Sequence, residues 1–152
     1  MIKLVSCDGK VFDFKVDYLK KTLRLQQNLR DLGFSETNVP SEQVCLCPYS
    51  VAVGESPISV SGASLQTIIE WLRLHEDVEP RTEEDRRAQQ LVTEDLELFD
   101  RHPGDLNNLV NSAYYFDIPD LIDALVKYYT YRIRHRLSEQ ITSLFRGFAQ
   151  AN

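Results

Sequence analysis

Six residues of this 152-residue chain carry side chains suited to metal, thiol or proton chemistry near neutral pH: His75, His102, His135, Cys7, Cys45 and Cys47. Cys45-Leu46-Cys47 has the look of a metal or redox pair. Zinc needs four ligands, however, and no second pair or nearby histidine supplies them. An odd count of three reduced thiols fits a reducing compartment. None of the histidines stands at metal-ligand spacing with an acid beside it. His75 falls at a predicted helix end, where a cation suits the dipole. His102 precedes Pro103 in a turn, and His135 lies in a basic helix end. The chain has no Gly-x-Ser-x-Gly motif and no P-loop, and its six glycines are scattered. Glu83 and Glu84 are paired carboxylates inside a run of charge and read as solvated. Nucleophile, base and orienting group do not converge, so the reading is a non-catalytic protein with no cofactor and no bound metal.

The elements that carry these residues follow from periodicity. Residues 2–6 and 11–16 are β-rich and flank Asp8-Gly9, a hairpin signal because both residues tolerate positive φ. Phe12 and Phe14 share one face of the second strand. Leu25, Leu29 and Leu32 form a helical stripe, capped by Asp17 or Thr22 and closed by Gly33. A long loop is expected over 34–56, with a short strand near 44–46, and another short strand at Ile58 and Val60. Leu65, Ile68, Ile69 and Leu72 mark a second helix capped by Ser61 or Ser64, with Trp71 on its flank. Residues 77–100 hold nine acids against three bases, a balance equal to the −6 of the whole chain. Thr82-Glu83-Glu84-Asp85 is able to start a helix there; a solvated linker is the other reading. Leu106, Leu109, Val110 and Ala113 mark a third helix. Pro119 opens a fourth, in a first turn that tolerates its missing N–H. Its stripe is Leu121, Ile122, Leu125, Val126, Tyr129 and Ile133. Leu137-Ser138-Glu139-Gln140-Ile141 suggests a break and a new cap before Leu144, Phe145 and Phe148. The order of hairpin, helix, strand and helices predicts an α+β domain with a small sheet at one side.

At 43% hydrophobic the chain can bury a core, and its length suits one domain. A charge of −6 argues against a nucleic-acid partner. No apolar run approaches the roughly 20 residues of a bilayer span, so no membrane role is expected. The first residues lack a signal-peptide pattern, which points to the cytosol or nucleus. Two aromatic regions look suited to protein contacts. Tyr128, Tyr129 and Tyr131 surround the helix at 119–136, and tyrosine is favoured at interfaces. Lys127, Arg132, Arg134 and Arg136 would attract either an acidic partner or the chain's own 77–100 segment. Tyr114-Tyr115-Phe116 cannot all point inward, because successive helical side chains diverge by about 100°.

Several of these segments, taken in order, resemble the Skp family, the adaptor subunits of cullin ubiquitin ligases, and its relative elongin C. They are the opening Ile2–Gly9 hairpin, the Asp31-Leu32-Gly33 helix end, Ile68-Ile69-Glu70-Trp71, the acidic middle and Ala113-Tyr114-Tyr115-Phe116-Asp117-Ile118. The last is similar to the family's Ala-Asn-Tyr-Leu-Asp-Ile. The resemblance implies a BTB/POZ fold over 1–118, with C-terminal helices over 119–152 as a partial F-box-binding extension. It implies two partners, the N-terminal domain of a cullin and an F-box protein, in an SCF-type complex. By position the cullin contact falls on Tyr114 and Tyr115. The F-box contact falls on Val126, Tyr129, Ile133, Ile141, Leu144 and Phe145. The alternative is a BTB/POZ module that homodimerises or joins another complex. Three departures stand out. Tyr114 replaces the family's usual Asn, Glu94-Asp95 replaces Trp-Asp, and two further helices ending near Trp-Cys are not present before Asn152. A shortened C-terminus is expected to expose apolar surface around Ile141, Leu144 and Phe145 and so to draw a partner or a second copy.

Overall fold

Asp8-Gly9 turns the chain through Gly9, whose φ of 84° suits a residue without Cβ. Strand β1 (Ile2–Val5) then pairs antiparallel with β2 (Val11–Phe14), Ile2 opposite Phe14 and Leu4 opposite Phe12. The computed structural model describes residues 2–35, 38, 44–45 and 60–151, with side chains up to residue 143 and none for 44–45. The expected loop at 34–56 and the strand at 58–60 fall largely outside the described residues, as do Cys47, Leu144, Phe145 and Phe148 as side chains. Strand β3 (Val44–Cys45) runs parallel to β1 on its other side, giving the order β2-β1-β3.

A 3-10 turn at Val16–Lys20 leads into α1 (Leu23–Asp31). Leu25 and Leu29 are buried, but Leu32 is 72% exposed and leaves the expected stripe. The cause is the helix end. Gly33, at a φ of 88°, donates to the Arg30 carbonyl at 2.9 Å, and Phe34 donates to that of Leu29 at 2.8 Å. This pair of bonds reverses the chain and turns Leu32 outward.

Helix α2 (Gly62–Leu74) is the central element, packed by α4, α5 and β2. Its first turn is held twice. The Ser61 hydroxyl accepts from the Ser64 N–H at 3.1 Å, and the Asp8 carboxylate accepts from Gly62 at 2.9 Å. Asp8 also accepts from the Ser6 hydroxyl, the main reason its carboxyl lies below the usual range. The hairpin turn is thereby fastened to the helix. Trp71 is not on a flank: it is 1% exposed. It lies three residues after Ile68 on the same face, and Lys21 Nζ sits over its ring at 5.5 Å from the centroid.

The acidic segment folds into two helices, α3 (Glu83–Ala88) and α4 (Thr93–Asp100), rather than a linker. Thr82 caps α3 by accepting from the Asp85 N–H at 3.2 Å. Helix α4 buries Asp95, Leu98 and Phe99, and Asp95 meets the His75 ring nitrogen at 2.7 Å. His75 closes α2 as expected, but its ring is buried against Trp71, 4.6 Å between centroids. Helix α5 (Leu106–Phe116) starts on an Asp105 cap and ends at Asp117, which takes a φ of 54°.

Helix α6 (Pro119–Ala151) follows after two residues and runs without interruption. The expected break at 137–141 does not occur. No Gly or Pro interrupts these residues, and side chains one turn apart support one another. His135 and Glu139 pair at 3.1 Å, and Thr142 donates to the Ser138 carbonyl at 2.9 Å. The molecule is mostly helical with one small sheet, an α+β arrangement. Its largest buried side chains are Trp71, Tyr128, Phe14, Phe99 and Phe116. Full burial of a phenylalanine or leucine is worth about 1.5–3 kcal/mol, and these aromatics share one core with Leu65, Ile68, Leu109 and Leu125 that closes α2, α4, α5 and α6 on the sheet.

Candidate partner-binding surface

Helix α6 has two halves with different surroundings. Leu121, Ala124, Leu125 and Tyr128 are buried on one side of it. Tyr128 is therefore a core residue, not one of the surface aromatics expected from the sequence. Its hydroxyl donates to Asp100 at 2.5 Å and its ring meets Phe99 edge-on at 5.3 Å. Burial, with Asp100 adding to it, pushes the phenol up to about 12.

From Thr130 to Ser143 every residue is exposed. At about 1.5 Å per residue the helix extends roughly 20 Å past its last buried turn. Val126, Ile133, Leu137 and Ile141 are each 52–59% exposed. At about 100° per residue they fall within roughly 80° of one another, opposite the buried side. Val126 and Ile133 thus belong to this outer stripe and not to the core stripe that periodicity assigned them. Tyr129 is half-buried at its edge, with its hydroxyl 3.5 Å from Asn107 and its phenol raised chiefly by burial. Leu137 was missed as a surface candidate because it sat in the supposed break. The i+4 steps from Ile133 to Leu137 to Ile141 are the signal that finds it.

The basic residues of α6 divide. Lys127 turns inward, bonding the Arg86 carbonyl at 2.5 Å, the Gln89 carbonyl and Asp123 at 2.7 Å. Arg86 reaches Asp120 at 3.3 Å, and Asp120 also accepts from the Arg81 N–H at 3.1 Å. The acidic segment therefore docks on the first turns of α6. Arg132 lies over the Tyr128 ring at 5.7 Å. Arg134 and Arg136 are exposed, one on each side of the apolar stripe.

The other candidate pair lies at the end of α5. Tyr114 is 53% exposed, Tyr115 is half-buried with its ring edge-on to Phe116, and Phe116 is buried. The three aromatics diverge as helix geometry requires. About 20 Å of helix separates Pro119, next to this pair, from Ile133. The two regions are thus not brought together: the tyrosine pair ends α5, and Ile133, Leu137 and Ile141 lie on the far half of α6. Among the described residues no group of three or more His, Cys, Asp or Glu is placed to hold a metal. No described helix is long and apolar enough to cross a membrane.

No family model matches the chain. It is 23% identical to the SCF ubiquitin ligase complex protein SKP1a of Dictyostelium discoideum, over 150 residues covering 95% of this chain and 82% of that protein. Distant similarity to Skp1 proteins runs over most of the chain. The SKP1b protein of the same organism matches at the same 23% and over the same shares.

Proposed function

We propose that this protein is a non-catalytic adaptor of an SCF-type ubiquitin ligase, joining a cullin scaffold to an F-box substrate receptor in the cytosol or nucleus. The fold would be of BTB/POZ type, with α6 as its C-terminal extension. The observation that carries the reading is the outer stripe of α6, an exposed apolar face on a helix that the rest of the described chain does not cover. The similarity to SCF complex proteins supports an F-box protein as the occupant of that face.

The F-box contact falls on Val126, Tyr129, Ile133, Ile141, Leu144 and Phe145. The cullin contact falls on Tyr114 and Tyr115. The adaptor's contribution is geometric. Two surfaces on one rigid body hold a receptor and its bound substrate near the ligase's catalytic end, raising effective concentration. Co-expression with an F-box fragment and with a cullin N-terminal domain tests it. Ile133→Glu should lose the F-box fragment and keep the cullin, because a buried unpaired charge is costly. Tyr114→Glu should do the reverse. Capture of neither fragment by the wild-type chain would remove the proposal.

A further inference from the structure

Charge along α6 opposes charge in the rest of the molecule. Residues 130–152 hold four arginines and one glutamate, a balance of +3, whereas residues 1–129 hold thirteen bases and twenty-two acids, a balance of −9. Arg134 and Arg136 each lie roughly 60–100° from the centre of the apolar stripe, at about 100° per residue. Among the described residues neither makes an ion pair. The stripe also has a particular period. Val126 and Leu137 stand at i and i+11. Such a step advances a helix by only about 20° beyond three turns, so an apolar line of this period runs nearly along the axis.

We infer that the projecting half of α6 takes an acidic amphipathic helix, a partner segment whose own apolar stripe is bordered by Asp or Glu. It would lie alongside α6 with a slight right-handed supercoil. The inference rests on the adaptor reading for the site and adds the chemistry of the occupant. Apolar contact along the stripe supplies burial. Arg134 and Arg136 then meet carboxylates on both borders, which sets register and speeds encounter. A second copy of this chain would bring arginine to arginine. An anionic bilayer would face the −9 of the attached body, and Thr130 and Gln140 make the stripe narrower than a membrane-lying helix needs.

The test uses the full chain and three synthetic amphipathic helices that share one apolar stripe and differ only at its borders, with glutamate, glutamine or lysine. Fluorescence anisotropy should show the glutamate peptide binding about tenfold tighter than the glutamine peptide, with the advantage shrinking as salt rises. The Arg134→Glu, Arg136→Glu double variant, whose sites are exposed, should keep its Tm and prefer the lysine peptide. Equal binding of all three peptides, or an unchanged preference in the variant, would overturn the inference. So would tighter binding to phosphatidylserine vesicles, or a concentration-dependent dimer abolished by Ile133→Lys. An F-box fragment held by the wild-type chain without any charge preference sinks this inference alone. A clear preference for the glutamate peptide without F-box capture sinks the adaptor reading alone.

Discussion

His102 shows how burial decides the state of a titratable side chain. Its Nδ1 meets the Thr67 hydroxyl at 2.7 Å, and its Nε2 is buried with no hydrogen-bond partner. Burial lowers its pKa below 6.5, partly offset by Asp105. The folded state therefore favours the neutral ring. That contribution to stability is whole above pH 6.5 and is lost as pH falls through the folded-state value. Urea midpoints should drop more steeply as pH falls below 6.5 for the wild type than for His102→Gln. Tyr128 has the opposite sign. Its phenol is raised to about 12 from 10, so the unfolded chain gives up this proton first. Its contribution is complete below pH 10 and is lost as pH rises toward about 12. Tyr128→Phe should cost about 0.5–1.5 kcal/mol at neutral pH, because it removes the hydrogen bond to Asp100 while water can still solvate that exposed carboxylate. The gap between variant and wild type should narrow in alkaline melts.

At the scale of elements, the short acidic helix α3 depends on its neighbour. It has six residues and buries none of them. A helix this short is unstable alone, and what holds it is the Thr82 cap at one end and Lys127 at the other. Lys127→Met keeps most of the apolar stem but strips the donor from the Arg86 and Gln89 carbonyls. Amide exchange should quicken across 83–89 while α5 keeps its protection, as hydrogen–deuterium exchange would read. The end of α5 holds the complementary case. Asp117 is a non-glycine residue at a φ of 54°, and its N–H and that of Ile118 satisfy the Tyr114 and Ala113 carbonyls. Asp117→Val should destabilise by about 1–2 kcal/mol, because a β-branched side chain is strained in the left-handed region. Thermal melts of this variant beside Asp117→Gly would separate strain from loss of the carboxylate.

For the whole molecule, the core and the proposed contact surface sit on opposite sides of one helix. Substitutions on the outer stripe should then spare the fold. Ile133 is 59% exposed. Ile133→Lys should therefore move stability by only about 0.5 kcal/mol, while abolishing F-box capture. Leu125→Lys, on the buried side, should unfold the chain. Paired thermal melts and pull-downs read both outcomes. If Ile133→Lys also unfolded the protein, the stripe would be part of the core.

The sequence alone determined what depends on neighbours a few residues apart. Asp8-Gly9 signalled the hairpin, Gly33 signalled a helix end, and Ser61 was one of two candidate caps for a helix start. These are local signals, set by φ, by caps and by hydrogen-bond reach. Tertiary structure decided the rest. Tyr128 and Val126 are both apolar residues of the same helix, and only the placement of α4 and Phe99 makes one core and the other surface. Trp71 was assigned to a flank because periodicity cannot show how many elements close on a helix. The line from Val126 to Ile141 became a candidate contact face because α6 continues past the last described element that packs on it, and how far a helix outruns its neighbours depends on tertiary packing.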